Sequence, residues 1–268
     1  MSAIYPSLAG KVVLITGGAE GIGAATVEAF SRQGSTTLFL DIATTSAEAL
    51  IANIKISKEV EPEKNDRTTI PIFHHCDVTD LPALQHLAQI ILAEYGRIDV
   101  LVNNAAAAGS SSRIATNSIT PESWQKAIDI NLRHVFFLTQ AVVPSMQARR
   151  SGSIINLGSI TWRIPTSDTP VYAATKAAIM GLTKTHSREF GAWGVRVNSV
   201  MPGSIATERQ IKEVLTEEYR AFVRERQSLQ RELGPEEVAN VILFLASDDS
   251  RGVTGSSYVV DGGWVSDA

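Results

Sequence analysis

Seven short runs of β-branched and apolar residues recur along the chain, and a stretch with helical period separates most of them. The runs are KVVLIT at 11–16, TTLFLD at 36–41, TIPIFHHCDV at 69–78, IDVLVNN at 98–104, GSIINLGS at 152–159, VRVNSVMP at 195–202 and SSYVVDGG at 256–263. Their near-continuous hydrophobicity is that of strands buried on both faces. Between them lie GIGAATVEAFSRQG, LPALQHLAQIILAEYG, PESWQKAIDINLRHVFFLTQAVVPSMQ and PEEVANVILFLASD, whose apolar residues repeat with the helical period. Parallel neighbours need long crossovers, and crossover helices pack outside the sheet. The pattern therefore predicts an α/β fold: one doubly wound, seven-stranded parallel sheet of Rossmann type with helices on both faces, made by residues 1–268 as a single domain.

Two segments interrupt the alternation. The polar stretch ISKEVEPEKNDRTT at 56–69 reads as a solvated excursion, and the segment 204–233 reads as helical and late enough to form a lid. No Pro/Gly/Ser-rich linker or repeat divides the chain. With 44% hydrophobic and 19% charged residues, it can bury a large aliphatic core. A formal charge of −4 without a basic cluster disfavours nucleic-acid binding. Cys76 is the single cysteine, which excludes an internal disulfide and suits a reducing compartment. No run approaches the roughly 20 apolar residues that span a bilayer, and the N-terminus lacks a secretory pattern, so a soluble, cytoplasmic location is expected.

The sequence TGGAEGIG, Thr16 to Gly23, stands between the first strand and an alanine-rich helix. Gly17, Gly21 and Gly23, with Ile22 between the last two, permit a tight turn, close approach of a pyrophosphate and tight helix packing. The helix N-terminus offers N–H donors to the phosphates. Asp41, followed by Ile42, ends the second strand, where a carboxylate can accept from adenosine ribose hydroxyls and repel a 2′-phosphate. Glu20 adds a second negative charge there, so the expected cofactor is NAD. A helix-capping aspartate is the alternative reading of Asp41. Asp77-Val78 and Asn103-Asn104-Ala105-Ala106 follow the third and fourth strands and should border the same crevice.

Ser159 ends the fifth strand, and Tyr172 and Lys176 are spaced i, i+4 at the start of the next helix, on one face. A phenol is a poor base near neutral pH. A nearby ammonium and the positive ring of an oxidised nicotinamide would favour its phenolate. The alternative is an ordinary surface pair on a helix. His74, His75, Cys76 and Asp77 are adjacent in a strand, so their side chains diverge and no catalytic metal is expected.

In TGGAEGIG, Asp77-Val78, NNAA, Asn131 of INLRH, Ser159, the YAATK of Tyr172 and Lys176, and MPGSIAT at 201–207, the chain resembles the short-chain dehydrogenase/reductase family over nearly its whole length. The resemblance implies that Tyr172 is the acid/base, Lys176 lowers its pKa and holds the nicotinamide ribose, Ser159 steadies the substrate oxygen, and Asn131 holds a relay water. It also implies that Pro202, Gly203, Ile205 and Thr207 line the nicotinamide end and that the chain forms a homotetramer. NNAA replaces the usual NNAG, which requires a negative φ at Ala106. FSRQG, LFLDIA, NLRHVFF, GSITW and TERQ are similar to the aldose 1-dehydrogenase subgroup, the D-xylose type above all. That similarity implies oxidation of an aldose at C1 to the aldonolactone. Besides Ser159 and Tyr172, the candidate sugar contacts are Trp162, Arg163, Ser110, Ser111, Arg209 and Gln210. The stretch AAAAGSSSR at 105–113 departs from the xylose pattern. A dehydrogenase of a polyol, ketose or other secondary alcohol is the alternative, and a non-catalytic dinucleotide-binding protein a further one.

Overall fold

The computed structural model describes residues 3–60, 66–107 and 109–265, apart from the Ser111 side chain. All seven expected runs form strands: β1 Val12–Thr16, β2 Thr36–Asp41, β3 Ile72–His75, β4 Val100–Asn103, β5 Gly152–Leu157, β6 Val195–Pro202 and β7 Ser257–Val260. They make one parallel sheet in the order β3-β2-β1-β4-β5-β6-β7. The winding reverses between β1 and β4, which opens a crevice at the strands' carboxyl ends.

Alternation along β1 organises the two faces. Val13 and Ile15 pack with Val27 and Phe30 of α1 (Gly21–Arg32), Ala47 of α2 (Thr44–Val60) and Val238 and Ile242 of α9 (Pro235–Ala246). Val12 and Leu14 point the other way, to Leu84 and Ile91 of α3 (Leu81–Tyr95) and Leu138 and Val142 of α5 (His134–Arg149). Helix α4 (Pro121–Ile128) runs into α5 through a π turn at Asp129–Arg133. Helix α6 (Pro170–Phe190) crosses from β5 to β6.

Two expectations are corrected. The polar stretch at 56–69 begins as helix, because α2 continues to Val60; its Lys and Glu residues are the solvated side of a helix that buries Ala47 and Ile54. Residues 61–65 lie outside the described residues. The segment 204–233 is not one helix but two short ones, α7 (Glu208–Glu213) and α8 (Glu217–Arg226), capped by the Thr207 and Thr216 hydroxyls. Ile205 forms a parallel bridge with Leu233, so the segment leaves the sheet and returns to nearly the same point. Among the described residues, no helix is long and apolar enough to cross a membrane.

Candidate active site

The loops after β1 and β4 are laced together. The Thr16 hydroxyl accepts from the backbone N–H of Asn104 and Ala105, each at 3.0 Å, while the Asn104 amide donates to the carbonyls of Thr16 (2.9 Å) and Gly17 (2.7 Å). The Asn104 side chain is thus devoted to holding the glycine loop. Gly17 has φ of +65°, and a Cβ there would come within 2.8 Å of the Ala105 Cα; a Cβ on Gly23 would stand 1.8 Å from the Gly17 carbonyl oxygen. Only glycine fits either position. The N-terminus of α1 carries no side-chain cap at Glu20, so its first N–H groups remain open to an anion. This cradle fits a dinucleotide pyrophosphate. Ala106 is absent from the non-glycine residues with positive φ, which among the described residues are Arg150 and Asp168, so alanine suits its position.

Asp41 ends β2 with both carboxylate oxygens engaged: Oδ2 accepts from Ala19 N–H at 2.9 Å, and Oδ1 from Ile42 and Ala43 N–H at 2.8 and 3.0 Å. The Glu20 carboxylate is not free. One oxygen accepts from the Ser46 hydroxyl and the other from the Arg209 guanidinium, both at 2.8 Å. These contacts, the Ser46 hydrogen bond foremost, hold its pKa below the usual value. Asp77 shapes a turn, accepting from the Thr79 N–H and hydroxyl. Val78 and Ile205 are buried in the two cores, and Ile42 is exposed. Gly203 lies too close to Asp261 for a side chain, its ideal Cβ 2.7 Å from the Asp261 Cβ. Pro202 closes β6 beside it.

Ser159, Tyr172 and Lys176 converge at the end of β5. The Ser159 hydroxyl lies near enough to the Tyr172 phenol to pull its pKa down, and it meets the Thr161 hydroxyl at 2.7 Å and accepts from the Thr161 N–H at 3.1 Å. Lys176 is buried, donates to the Leu157 carbonyl at 2.8 Å, and holds its Nζ 5.7 Å from the Tyr172 ring centroid. Burial pushes Lys176 down to about 8. Burial also raises the Tyr172 pKa, against the lowering pull of Ser159. Desolvation outweighs the other influences on Tyr172.

Asn131 sits inside the π turn, a feature that recurs at functional sites. It is buried, donating to the Ala127 carbonyl at 2.9 Å and accepting from Ala107 N–H at 3.0 Å. One turn on, His134 is fully buried, and neither ring nitrogen meets a partner with hydrogen-bond geometry among the described residues. Burial first, and then the nearby Lys176 charge, hold its pKa down to about 3.

The expected sugar contacts are more scattered. Trp162 is 40% exposed, with the Arg163 guanidinium 6.0 Å from its ring centroid. Arg209 reaches Glu20, and the Gln210 N–H serves the Thr207 cap. Ser110 donates its N–H and hydroxyl to Glu213, each at 2.9 Å, which fixes α7 over the loop after β4. The Ser111 side chain lies outside the described residues. Sequence reasoning missed Thr161 and Glu213. A hydroxyl two residues beyond Ser159 was a local signal for the first; Glu213 pairs with Ser110 across the fold and left none.

The family model described as "Enoyl-(Acyl carrier protein) reductase" matches residues 17–265. A D-xylose 1-dehydrogenase from Caulobacter vibrioides is 42% identical over 263 residues, covering 98% of this chain and 99% of the relative. A protein named as a galactose dehydrogenase from Rhizobium meliloti is 41% identical over 262 residues, 98% of each chain. A crystal structure named for a gluconate dehydrogenase, from Agrobacterium tumefaciens, superimposes with a TM-score of 0.88 at 26% identity, over 99% of this chain and all of that one. Fold, crevice and these relatives agree: the chain belongs to the short-chain dehydrogenase/reductase family, whose dehydrogenases use a nicotinamide dinucleotide.

Proposed function

We propose that the protein oxidises an aldose, D-xylose or a related pentose or hexose, at C1 to the aldonolactone with NAD as acceptor. The observation that carries this reading is the convergence of Ser159, Tyr172 and Lys176 beside a glycine cradle, in a chain closely similar to two sugar dehydrogenases.

In this reading Ser159, oriented by Thr161, hydrogen-bonds the C1 hydroxyl and directs its proton to Tyr172. Tyr172 takes that proton as general base, and the carbon–oxygen bond becomes the lactone carbonyl as the C1 hydrogen departs with its electron pair. NAD, when bound, supplies the acceptor for that hydride and a positive ring near the phenol. Lys176, anchored on Leu157, stabilises the phenolate and holds the nicotinamide ribose, while Asn131 holds a relay water. Glycines 17, 21 and 23 with Ile22 hold the pyrophosphate; Asp41 and Ile42 hold the adenosine ribose; Asp77, Val78, Asn104, Ala105 and Ala106 wall the adenosine; Pro202, Gly203, Ile205 and Thr207 meet the carboxamide. Trp162 gives the sugar a flat apolar face and Gln210 a polar one, with residues 204–233 closing above. The single domain of residues 1–268 would assemble as a cytoplasmic homotetramer.

A panel of aldoses, xylitol and a cyclic alcohol, each offered with NAD and NADP while reduced nicotinamide is followed by absorbance, tests the reading. Turnover of an aldose is expected. Activity confined to the polyol or cyclic alcohol would replace the sugar assignment with the secondary-alcohol alternative.

A further inference from the structure

Glu20 joins three parts of the protein that are remote in sequence. Its own position begins α1. Its Oε1 accepts from Ser46 in the first turn of α2, just beyond Asp41, and its Oε2 accepts from Arg209 of α7. Ala19, its neighbour, donates to Asp41. The guanidinium of a residue in the lid segment is therefore drawn to the ribose end of the groove. The Thr207 methyl group, two residues earlier, closes the same gap, 3.0 Å from the ideal Cβ position of Gly21.

The charges follow from these contacts. Asp41 already accepts three backbone N–H groups, and a carboxylate has roughly four acceptor sites, so about one remains for a ribose hydroxyl. Glu20 would repel a 2′-phosphate on that ribose, but Arg209 offsets its charge. An arginine beside a dinucleotide ribose is also the group that accommodates a 2′-phosphate, through its planar fork.

We propose that Arg209 tunes the strength of the preference for NAD over NADP through its pairing with Glu20. The assignment rests on reading this groove as the dinucleotide site. Paired, the two residues contribute no net charge, and Asp41 alone favours NAD. Without Arg209, the Glu20 carboxylate, then offset among the described residues only by Lys212, adds repulsion; without the Glu20 charge, the guanidinium keeps Glu213 as its acidic neighbour and attracts the phosphate.

The test is fluorescence titration of NADH and NADPH on the purified protein without sugar, for wild type, Arg209→Gln, Glu20→Gln and the double variant. One unit charge gained or lost roughly 6 Å from a phosphate of about two negative charges changes affinity about tenfold in water. Arg209→Gln should thus raise the preference for NADH about tenfold, and Glu20→Gln should lower it about tenfold. The double variant, neutral again, should return close to the wild-type ratio. A mere loss of α7 packing would weaken both dinucleotides together and leave the ratio unmoved. Ratios that stay within about twofold, or single variants that shift it in the same direction, overturn the assignment while leaving the dinucleotide reading intact. Wild-type protein that binds neither dinucleotide would refute the reading beneath it, and the assignment with it.

Discussion

The Lys176 ammonium stands 5.7 Å from the centre of the Tyr172 ring while one of its three donors is committed to the Leu157 carbonyl. The strand end, and not only the helix spacing, therefore fixes where the charge sits against the phenol. Tyr172→Phe keeps the ring and its packing and removes only the hydroxyl proposed as the base. Turnover of the best substrate should fall by about 10²- to 10⁴-fold, with NADH affinity unchanged by fluorescence titration. Activity retained above a tenth of wild type would remove Tyr172 from the role of base.

Gly23 and Gly181 make a contrasting pair. A Cβ on Gly23 would lie 1.8 Å from a backbone oxygen, whereas a Cβ on Gly181, midway along α6, meets nothing within 4 Å. Gly23→Ala should destabilise the fold by at least about 2 kcal/mol and abolish dinucleotide binding. Gly181→Ala should stabilise it by about 0.5–1 kcal/mol in urea unfolding. Equal behaviour of the two variants would contradict the packing described around the glycine loop.

His134 predicts acid sensitivity. Its folded pKa of about 3 lies below the ordinary 6.5, so between those values the unfolded chain takes up a proton that the folded protein refuses. Stability from this residue is complete above pH 6.5 and is lost as the pH falls toward 3, by at most about 1.4 kcal/mol per pH unit. His134→Leu should flatten that part of the curve of unfolding free energy against pH. Parallel curves for variant and wild type would exonerate the imidazole.

Asp41→Ala should weaken NADH binding more than NADPH binding, because the acceptor proposed for the ribose goes and a negative charge goes with it. The loss of three backbone hydrogen bonds should also lower the unfolding midpoint. Titration of both reduced dinucleotides reads the first effect, and a ratio equal to wild type would show that Asp41 only shapes the turn.

Local pattern carried most of this architecture. The five central strands were legible because each is a largely buried parallel strand, the edge strands β3 and β7 because turn residues bound their short β-branched or aromatic runs, and the glycine loop because its position between strand and helix matters as much as its composition. The i, i+4 spacing of Tyr172 and Lys176 placed them together before any coordinates. What stayed hidden depends on contacts between remote segments. Arg209 looked like a polar residue facing a sugar, and nothing local to it announces Glu20, 189 positions away. The end of α2 was misread because charged residues on the wet side of a helix look the same as a solvated loop.

The π turn at Asp129–Arg133 has a consequence for how the α4–α5 rod can change. A turn holding one residue more than the regular helix takes that residue up by widening locally, so α4 and α5 continue as one rod on either side of it. Removing one residue there would close the wide turn into regular helix, with α4 and α5 nearly in place, and take away the local backbone that presents Asn131. Asn131 would then lose its hold on Ala107, and the wall of the crevice would come loose from the rod that braces it. The rod tolerates exchange of side chains at many points, but the extra residue of its wide turn is as much a part of the site as Tyr172.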